Sequence, residues 1–295
     1  MRINSNHLAI DYSDNGDGNP LLLIHGYPLN RALWRPQITG LADAARVLAP
    51  DLRGHGDSDP GLRSYSMSVL ADDCRGFLDA LGITRPVVVG GLSMGGYVVF
   101  EFYRKYPQRV AGLILVATRA GADSPEAKAN RDKAAATATE KGVGPIVETM
   151  LPKMLSPKSL QTQPELVARV RKMMASTSLA ATVGDLTAMR DRADSTAMLA
   201  QIDKPTLILH GADDQLIPPA EAQAAGAAIP GAWLEILPDA GHLLNLEQPE
   251  AFNEAVRRVF IIHPEVSRSL PQGLCEVSGG VNAPYRAPIS GRIVL

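Results

Sequence analysis

The stretch Val87–Glu101, with the sequence VVVGGLSMGGYVVFE, decides the fold. It begins with three consecutive valines, a β-branched run that predicts a strand buried on both faces, as in a parallel sheet. Two glycines end this run, and the mostly apolar residues from Met94 to Tyr106 predict a helix. Ser93 is therefore expected on a sharp turn between a buried strand and a helix.

The turn itself reads Gly91-Leu92-Ser93-Met94-Gly95. A serine that small neighbours hold between a strand and a helix is typical of a nucleophile elbow. The N-terminal N–H groups of the following helix would point at negative charge that develops beside the serine. Short motifs also occur by chance, so the pattern alone leaves an incidental serine in a glycine-rich turn as the alternative.

Composition narrows the class of protein. The chain has 295 residues, of which 45% are hydrophobic and 20% charged, as in a globular protein with a sizeable core. A formal net charge of −2 and an aromatic content of 5% argue against a nucleic-acid partner. The N-terminus has no apolar signal segment, and no run approaches the ~20 apolar residues that cross a bilayer, so we expect a cytoplasmic protein without a membrane partner. The two cysteines and the lack of zinc spacing predict neither a disulfide framework nor a metal site.

Strand and helix patterns alternate on both sides of the elbow. One or two edge strands are predicted in 1–13, followed by strands at 21–24, 46–50, 87–89, 110–117, 205–210 and 233–237, of which those at 21–24 and 87–89 are predicted to be buried. Helices are predicted at 66–81, 94–106, 218–228 and 249–260. This order predicts an α/β fold with a mostly parallel sheet and helices on both faces. Functional sites in such sheets lie beyond the carboxyl ends of the strands.

Two segments depart from this alternation. Residues 119–198 contain six of the nine methionines and no convincing strand, which predicts a helical cap inserted between core segments 1–118 and 199–262. Residues 263–295 are rich in proline, glycine and serine. Their composition predicts a loosely packed or disordered tail, or sequence foreign to the native protein, with a short docking arm as the alternative.

A serine hydroxyl is a weak nucleophile until a base takes its proton. His242 is the candidate base, because its loop follows the predicted strand 233–237 at the carboxyl edge of the sheet. The base needs a carboxylate that fixes its tautomer, and Asp213 and Asp214 both follow the strand 205–210. Either aspartate could instead cap a helix or close a turn. The other histidines of the organised region are interpreted as structural: His25, His55 and His210.

A tetrahedral intermediate needs two backbone donors for its oxyanion. One candidate is the N–H of Met94, the residue after the serine. The other is the N–H of Tyr27, in the loop His25-Gly26-Tyr27-Pro28 that follows the strand 21–24. A plain turn is the alternative interpretation of this loop.

The combination resembles the α/β-hydrolases of the serine esterase, lactonase and cofactor-free perhydrolase group. Five motifs of similar proteins read here HGYP, DLRGHGDS, GLSMGG, GADDQLIP and GHLLNLEQP, and the match covers residues ~20–260. The resemblance implies Ser93 as nucleophile, His242 as base and Asp214, rather than Asp213, as acid, with both backbone donors as named above. Ser93 stands where the similar epoxide hydrolases and haloalkane dehalogenases carry an aspartate, which argues against both.

The resemblance implies hydrolysis of small to medium carboxylic esters through an acyl-enzyme, without metal or organic cofactor. Trp34, Met150 and Met154 are candidate substrate-binding residues, because adaptable apolar side chains suit an apolar acyl or aryl group, although they could equally be ordinary packing. The triad alone leaves lactone or enol-lactone hydrolysis and perhydrolysis open. A hydrolase-like ligand receptor is the alternative from another class. We expect a small-molecule ester or lactone as partner, and a homodimer stays open.

Overall fold

The computed structural model describes residues 1–5, 7–61 and 64–262, so the predicted tail at 263–295 lies outside the described residues. The described residues form one eight-stranded sheet. Its strands are β1 (Arg2–Ser5), β2 (Leu8–Asn15), β3 (Asn19–Ile24), β4 (Ala45–Pro50), β5 (Val87–Leu92), β6 (Val110–Val116), β7 (Thr206–Gly211) and β8 (Trp233–Leu237).

The strand order is β1-β2-β4-β3-β5-β6-β7-β8. The two N-terminal edge strands pair antiparallel, β1 with β2 and β2 with β4, and every pair from β4 to β8 is parallel. The predicted mostly parallel α/β sheet is therefore confirmed. Because β3, β5, β7 and β8 run in the same direction, their carboxyl ends lie along one edge of the sheet.

Twelve α-helices lie within the described ranges. Those of the core are α1 (Arg35–Gly40), α2 (Met67–Ala80), α3 (Met94–Lys105), α10 (Pro219–Ala228), α11 (Leu244–Glu247) and α12 (Pro249–Ile262). The other six lie between β6 and β7, in the segment interpreted as a cap: α4 (Pro125–Lys141), α5 (Gly144–Met154), α6 (Pro157–Thr162), α7 (Pro164–Ala175), α8 (Leu179–Arg190) and α9 (Thr196–Leu199). No helix in the described part of the chain is long and apolar enough to cross a membrane.

The central strand β5 is buried on both faces, as its three valines predict. Val87 and Val89 belong to the apolar cluster that includes Phe77 of α2, whereas Val88 belongs to the opposite cluster with Phe252 of α12. Side chains alternate along a strand, so successive valines fill the two cores in turn. Full burial of such a side chain contributes about 1.5–3 kcal/mol, so β5 anchors the turn that follows it.

Candidate active site

Ser93 occupies the turn between β5 and α3. Its backbone has φ +55° and ψ −113°, a conformation that residues other than glycine rarely adopt and that costs of order 1–3 kcal/mol. Two hydrogen bonds support it: Ser93 N–H donates to the carbonyl of Val116 at 2.8 Å, and Thr118 Oγ1 donates to the carbonyl of Ser93 at 2.9 Å. Within the run from Val87 to Phe100, Ser93 is the one residue that is not buried. The turn therefore presents this residue from an otherwise buried segment.

The glycines of the motif are required by close backbone contacts. A Cβ on Gly91 would clash with the backbone of Gly95, and a Cβ on Gly95 would clash with the carbonyl oxygens of Ile24 and His25. The first turn of α3 thus packs directly on the end of β3. The pattern around Ser93 has the strand–turn–helix context that a nucleophile elbow needs.

Asp214 lies in the loop after β7, with its side chain fully buried. One carboxylate oxygen, Oδ1, accepts from the backbone N–H groups of Leu216 at 2.8 Å and Ile217 at 3.0 Å. The other, Oδ2, lies 2.8 Å from Nδ1 of His242, whose side chain is 1% exposed. Since Asp214 engages Nδ1, the nitrogen of His242 that remains for proton transfer is Nε2.

His210, at the end of β7, is a second histidine on the same carboxylate. Its Nε2 lies 2.8 Å from the carbonyl oxygen of Ile217 and 3.2 Å from Asp214 Oδ2. A carbonyl oxygen only accepts, so this nitrogen carries the proton and donates. From its sequence position His210 is interpreted as structural, and its contact with the acid is not predicted. The signal that could have predicted this contact is the spacing of four residues between His210, at the end of the strand, and Asp214.

Several effects set the pKa of Asp214. Burial alone would raise it, but the charge of His242 and the hydrogen bonds from His210 and His242 outweigh burial and hold the pKa well below the usual range. The carboxylate is therefore charged at neutral pH, as it must be to orient an imidazole and stabilise its protonated form.

Asp213 is placed differently from its neighbour. It is exposed, and its backbone N–H donates to the carbonyl of Ala240 at 2.9 Å. Its carboxylate has no hydrogen bond within the described ranges. Of the two adjacent aspartates, the one that contacts His242 is Asp214.

Glu247 holds the loop that carries the base. Its Oε1 accepts from the N–H of Gly241 at 2.8 Å, and its Oε2 accepts from the N–H of Ser156 at 2.9 Å. Ser156 lies between α5 and α6, so this one carboxylate joins the loop to the cap. Glu247 belongs to the motif GHLLNLEQP, and its role in this loop is not predicted from the sequence.

The two expected oxyanion donors flank the elbow. Met94 is the first residue of α3, where a backbone N–H has no acceptor within the helix. The N–H of Tyr27 donates to no acceptor in the described part of the chain. The loop of Tyr27 abuts the elbow, because a Cβ on Gly26 would lie 3.3 Å from Cβ of Ser93. Both N–H groups are thus available beside the serine.

A cavity of about 570 Å³ opens under the cap. Helices α4, α5 and α8 supply most of its lining, which includes the predicted Met150. It adjoins the triad region at Tyr27 and at Leu216, whose N–H donates to Asp214. Neither Ser93 nor His242 is part of this lining, so the cavity lies next to the elbow rather than around it.

Trp34 and Met154, the other two candidate binding residues, are fully buried. Trp34 packs against Phe252 with ring centroids 6.0 Å apart, and the carbonyl of Met154 accepts from the N–H of Leu243 at 3.0 Å. Neither lines the cavity. Their role in substrate binding stays a prediction, and the cavity does not support it.

A second buried histidine–aspartate pair joins a core loop to α8. His55 Nε2 is 3.1 Å from Oδ2 of Asp185 in α8, and both side chains are fully buried. The other ring nitrogen of His55 donates to the carbonyl of Arg53 at 3.0 Å. The ring of His25 packs on that of His55 at 4.8 Å, and its Nε2 accepts from the N–H of Leu52 at 3.0 Å. The contacts of His25 and His55 are internal, in agreement with their structural interpretation.

Comparison with known proteins identifies the family of the chain. A family model described as alpha/beta hydrolase fold matches residues 19–249. The chain is 30% identical over 254 residues to 3-oxoadipate enol-lactonase 2 of Acinetobacter baylyi, a match that covers 85% of this chain and 93% of that protein.

Solved structures give the same result. A thermophilic esterase from Thermogutta terrifontis, with malate bound, superposes with a TM-score of 0.86 at 40% identity, covering 90% of this chain and 98% of that one. The enol-lactonase from Burkholderia xenovorans superposes with a TM-score of 0.82 at 27% identity, covering 88% of this chain and 100% of that one. The fold, the elbow and these relatives lead to one conclusion: the chain belongs to the alpha/beta hydrolase family.

Proposed function

We propose that this protein is a serine hydrolase that cleaves carboxylic esters of small to medium acyl chain through an acyl-enzyme. The observation that carries the proposal is the buried 2.8 Å contact between His242 Nδ1 and Asp214 Oδ2. It lies at the edge of the sheet where β5 ends, directly before Ser93. An imidazole fixed by a carboxylate, at the sheet edge that also carries a serine on a strand–helix turn, supports a mechanism in which the imidazole activates that hydroxyl for acyl transfer.

In the first step, Ser93 Oγ attacks the ester carbonyl and its proton passes to Nε2 of His242. The negative charge that develops on the carbonyl oxygen is stabilised by the N–H groups of Tyr27 and Met94. When the tetrahedral intermediate collapses, His242 gives its proton to the leaving alkoxide, and the acyl group stays on Ser93. Asp214 remains ionised throughout and stabilises the imidazolium.

In the second step, a water molecule attacks the acyl-enzyme. His242 takes one proton of the water and returns it to Ser93 Oγ as the acid leaves. Each loss of one oxyanion donor in such sites costs about 100- to 1,000-fold in rate, so the two N–H groups supply a large part of the proposed catalysis.

Lactone hydrolysis is the second candidate. It uses the same acyl-enzyme, with the alcohol product still tethered to the acyl group. Similarity to the Acinetobacter baylyi and Burkholderia xenovorans enol-lactonases favours it specifically.

Turnover of p-nitrophenyl acetate and butyrate tests the proposal, with Ser93→Ala beside the wild-type protein. We expect steady multiple turnover in the wild-type protein and loss of turnover in Ser93→Ala, with unchanged circular dichroism. A matched control is Ser124→Ala at the exposed N-cap of α4, which we expect to retain full activity. A single burst without turnover would point instead to a ligand receptor, and an active Ser93→Ala would remove Ser93 from its role.

A further inference from the structure

Three arginines surround one aspartate beside the cavity. Asp123 Oδ1 accepts from Arg119 at 2.6 Å and lies 2.7 Å from Arg192, and its Oδ2 accepts from Nε of Arg131 at 3.1 Å. Burial alone would raise the pKa of Asp123, but Arg192 and Arg131 outweigh burial and lower it. The carboxylate is therefore charged, and three guanidinium groups share it. The cluster keeps an excess of two positive charges.

One of the three arginines is a packing residue. The Arg192 side chain is 3% exposed, and its terminal nitrogens donate to the backbone carbonyls of Met189 and Gly121. Its guanidinium also stacks on the ring of Tyr97 at 4.2 Å from the centroid. These contacts account for Arg192 without any ligand.

The other two arginines face the cavity. Arg119 and Arg131 line it, with side chains 27% and 25% exposed. Arg131 bonds Asp123 through Nε, and its two terminal nitrogens have no acceptor within the residues that the structure describes. Its positive charge also reaches the hydroxyl of Tyr27. A planar pair of donors is thus left facing the same cavity as the proposed oxyanion loop.

The remaining charges of the lining have the same sign. Lys133 and Lys153 are exposed at the cavity, and Asp123 is its one acidic residue among the described positions. Asp185 also affects Tyr27, but that carboxylate lies against His55 and outside the lining. Four cationic side chains against one carboxylate give the described lining of the cavity an excess of positive charge.

We propose that this cavity binds esters or lactones that carry a second, free carboxylate, which Arg131 and Arg119 hold while the reacting carbonyl lies at Ser93. The inference rests on the proposed hydrolase function. A guanidinium fork matches a carboxylate with two parallel hydrogen bonds, and such charge-assisted pairs are about twice as strong as neutral hydrogen bonds. In a cavity partly shielded from water the attraction is less screened than at an open surface.

Matched substrates test the inference. Mono-p-nitrophenyl adipate and p-nitrophenyl hexanoate have the same acyl length and leaving group and differ in the terminal carboxylate. We expect kcat/KM of the wild-type protein to be at least about 10-fold higher for the adipate, as one charge-assisted hydrogen bond allows. Phenyl butyrate against 3-carboxyphenyl butyrate gives the same comparison on the leaving-group side, and a preference for the anionic member of either pair supports the inference.

Arg131→Gln should remove this preference by raising KM for the anionic ester about 10-fold, while p-nitrophenyl hexanoate changes less than about 2-fold. Asp123 keeps Arg119 and Arg192 in this variant. Arg171→Gln removes the same charge from an exposed cap arginine that pairs with Glu148 outside the cavity lining, and we expect it to affect neither ester.

The outcomes separate the two proposals. Turnover of the hexanoate with no anionic preference in either pair overturns this inference and leaves the hydrolase function standing. An equal effect of Arg131→Gln on both esters also overturns it, because a structural role of the arginine would act on both. If the protein is fully folded and turns over none of the esters, the hydrolase function itself is contradicted.

Discussion

Two buried histidine–aspartate pairs use the same residue types in different ways. In the first, Asp214 accepts two backbone N–H groups and lies against His242 and His210. In the second, His55 lies 3.1 Å from Asp185, whose carboxylate oxygens have no well-directed hydrogen bond from the described residues. The carboxylate at the proposed active site is thus held in position by its own loop, whereas Asp185 depends on a single charged partner.

The two histidine–aspartate pairs also come from different parts of the fold. Both members of the first pair come from core loops at the carboxyl edge of the sheet, where Ser93 lies. The second pair joins a core loop to α8 of the cap. Burial alone would lower the pKa of His55, but the charge of Asp185 outweighs it and raises the pKa. We infer that the first pair serves chemistry and the second attaches the cap, and three sets of variants test that distinction.

The largest expected effect separates the two histidines. His242→Gln removes the proposed base, so we expect kcat for p-nitrophenyl butyrate to fall about 10⁴-fold or more. His55→Gln leaves the proposed triad intact, and we expect its kcat to stay within about 3-fold of wild type. Comparable losses in the two variants would contradict the assignment of different roles.

The aspartates give the next test. Asp214→Asn keeps the shape of the side chain but removes the charge that supports the imidazolium, so we expect a fall in kcat of about 10³- to 10⁴-fold. Asp213→Asn is the matched control in the neighbouring, exposed position, and its kcat should change less than about 2-fold. A larger loss in Asp213→Asn than in Asp214→Asn would exchange their roles.

The smallest effect is on stability and depends on pH. Asp185→Asn leaves His55 buried without its charged partner, and removing one member of a buried pair typically costs about 3–5 kcal/mol in the free energy of unfolding. Because the folded pKa of His55 is raised, its stabilisation is complete below the ordinary pKa of about 6.5 and is lost as the pH rises through the raised value. Denaturant titrations of wild type and Asp185→Asn should therefore converge towards alkaline pH.

The stabilisation by Asp214 depends on pH in the opposite direction. Its folded pKa is lowered, so its stabilisation is present above the ordinary aspartate pKa of about 3.9 and is lost as the pH falls. The same titrations, performed on Asp214→Asn, should converge with wild type towards acid pH. Convergence of both variants on the same side would show that the two pairs do not differ as described.

The sequence predicts best where local pattern and chemistry coincide. The valine run, the glycines around Ser93 and the polar loops after the strands are local features. The structure has the valines in the central strand, and Ser93, Asp214 and His242 in turns or loops that follow strands β5, β7 and β8. The helical run from Arg31 to Gly40 was not predicted, because its 3₁₀ turn and α1 are too short for a clear periodicity.

Contacts between distant segments were beyond sequence analysis. His55 meets Asp185, and Arg192 meets Asp123, only because the cap folds back on the core. No periodicity or short motif in the sequence predicts such a long-range contact. The burial of Trp34 and Met154 could not be predicted either, because an apolar side chain suits a core and a pocket equally well.

The central claim is that Ser93 carries the acyl group. Intact-protein mass spectrometry during turnover of p-nitrophenyl butyrate, followed by peptide mapping, measures this directly. We expect a transient mass increase of one butyryl group on the peptide that contains Ser93. We expect no such increase in Ser93→Ala. A butyryl group mapped to another residue, or an unchanged adduct in Ser93→Ala, would contradict the account.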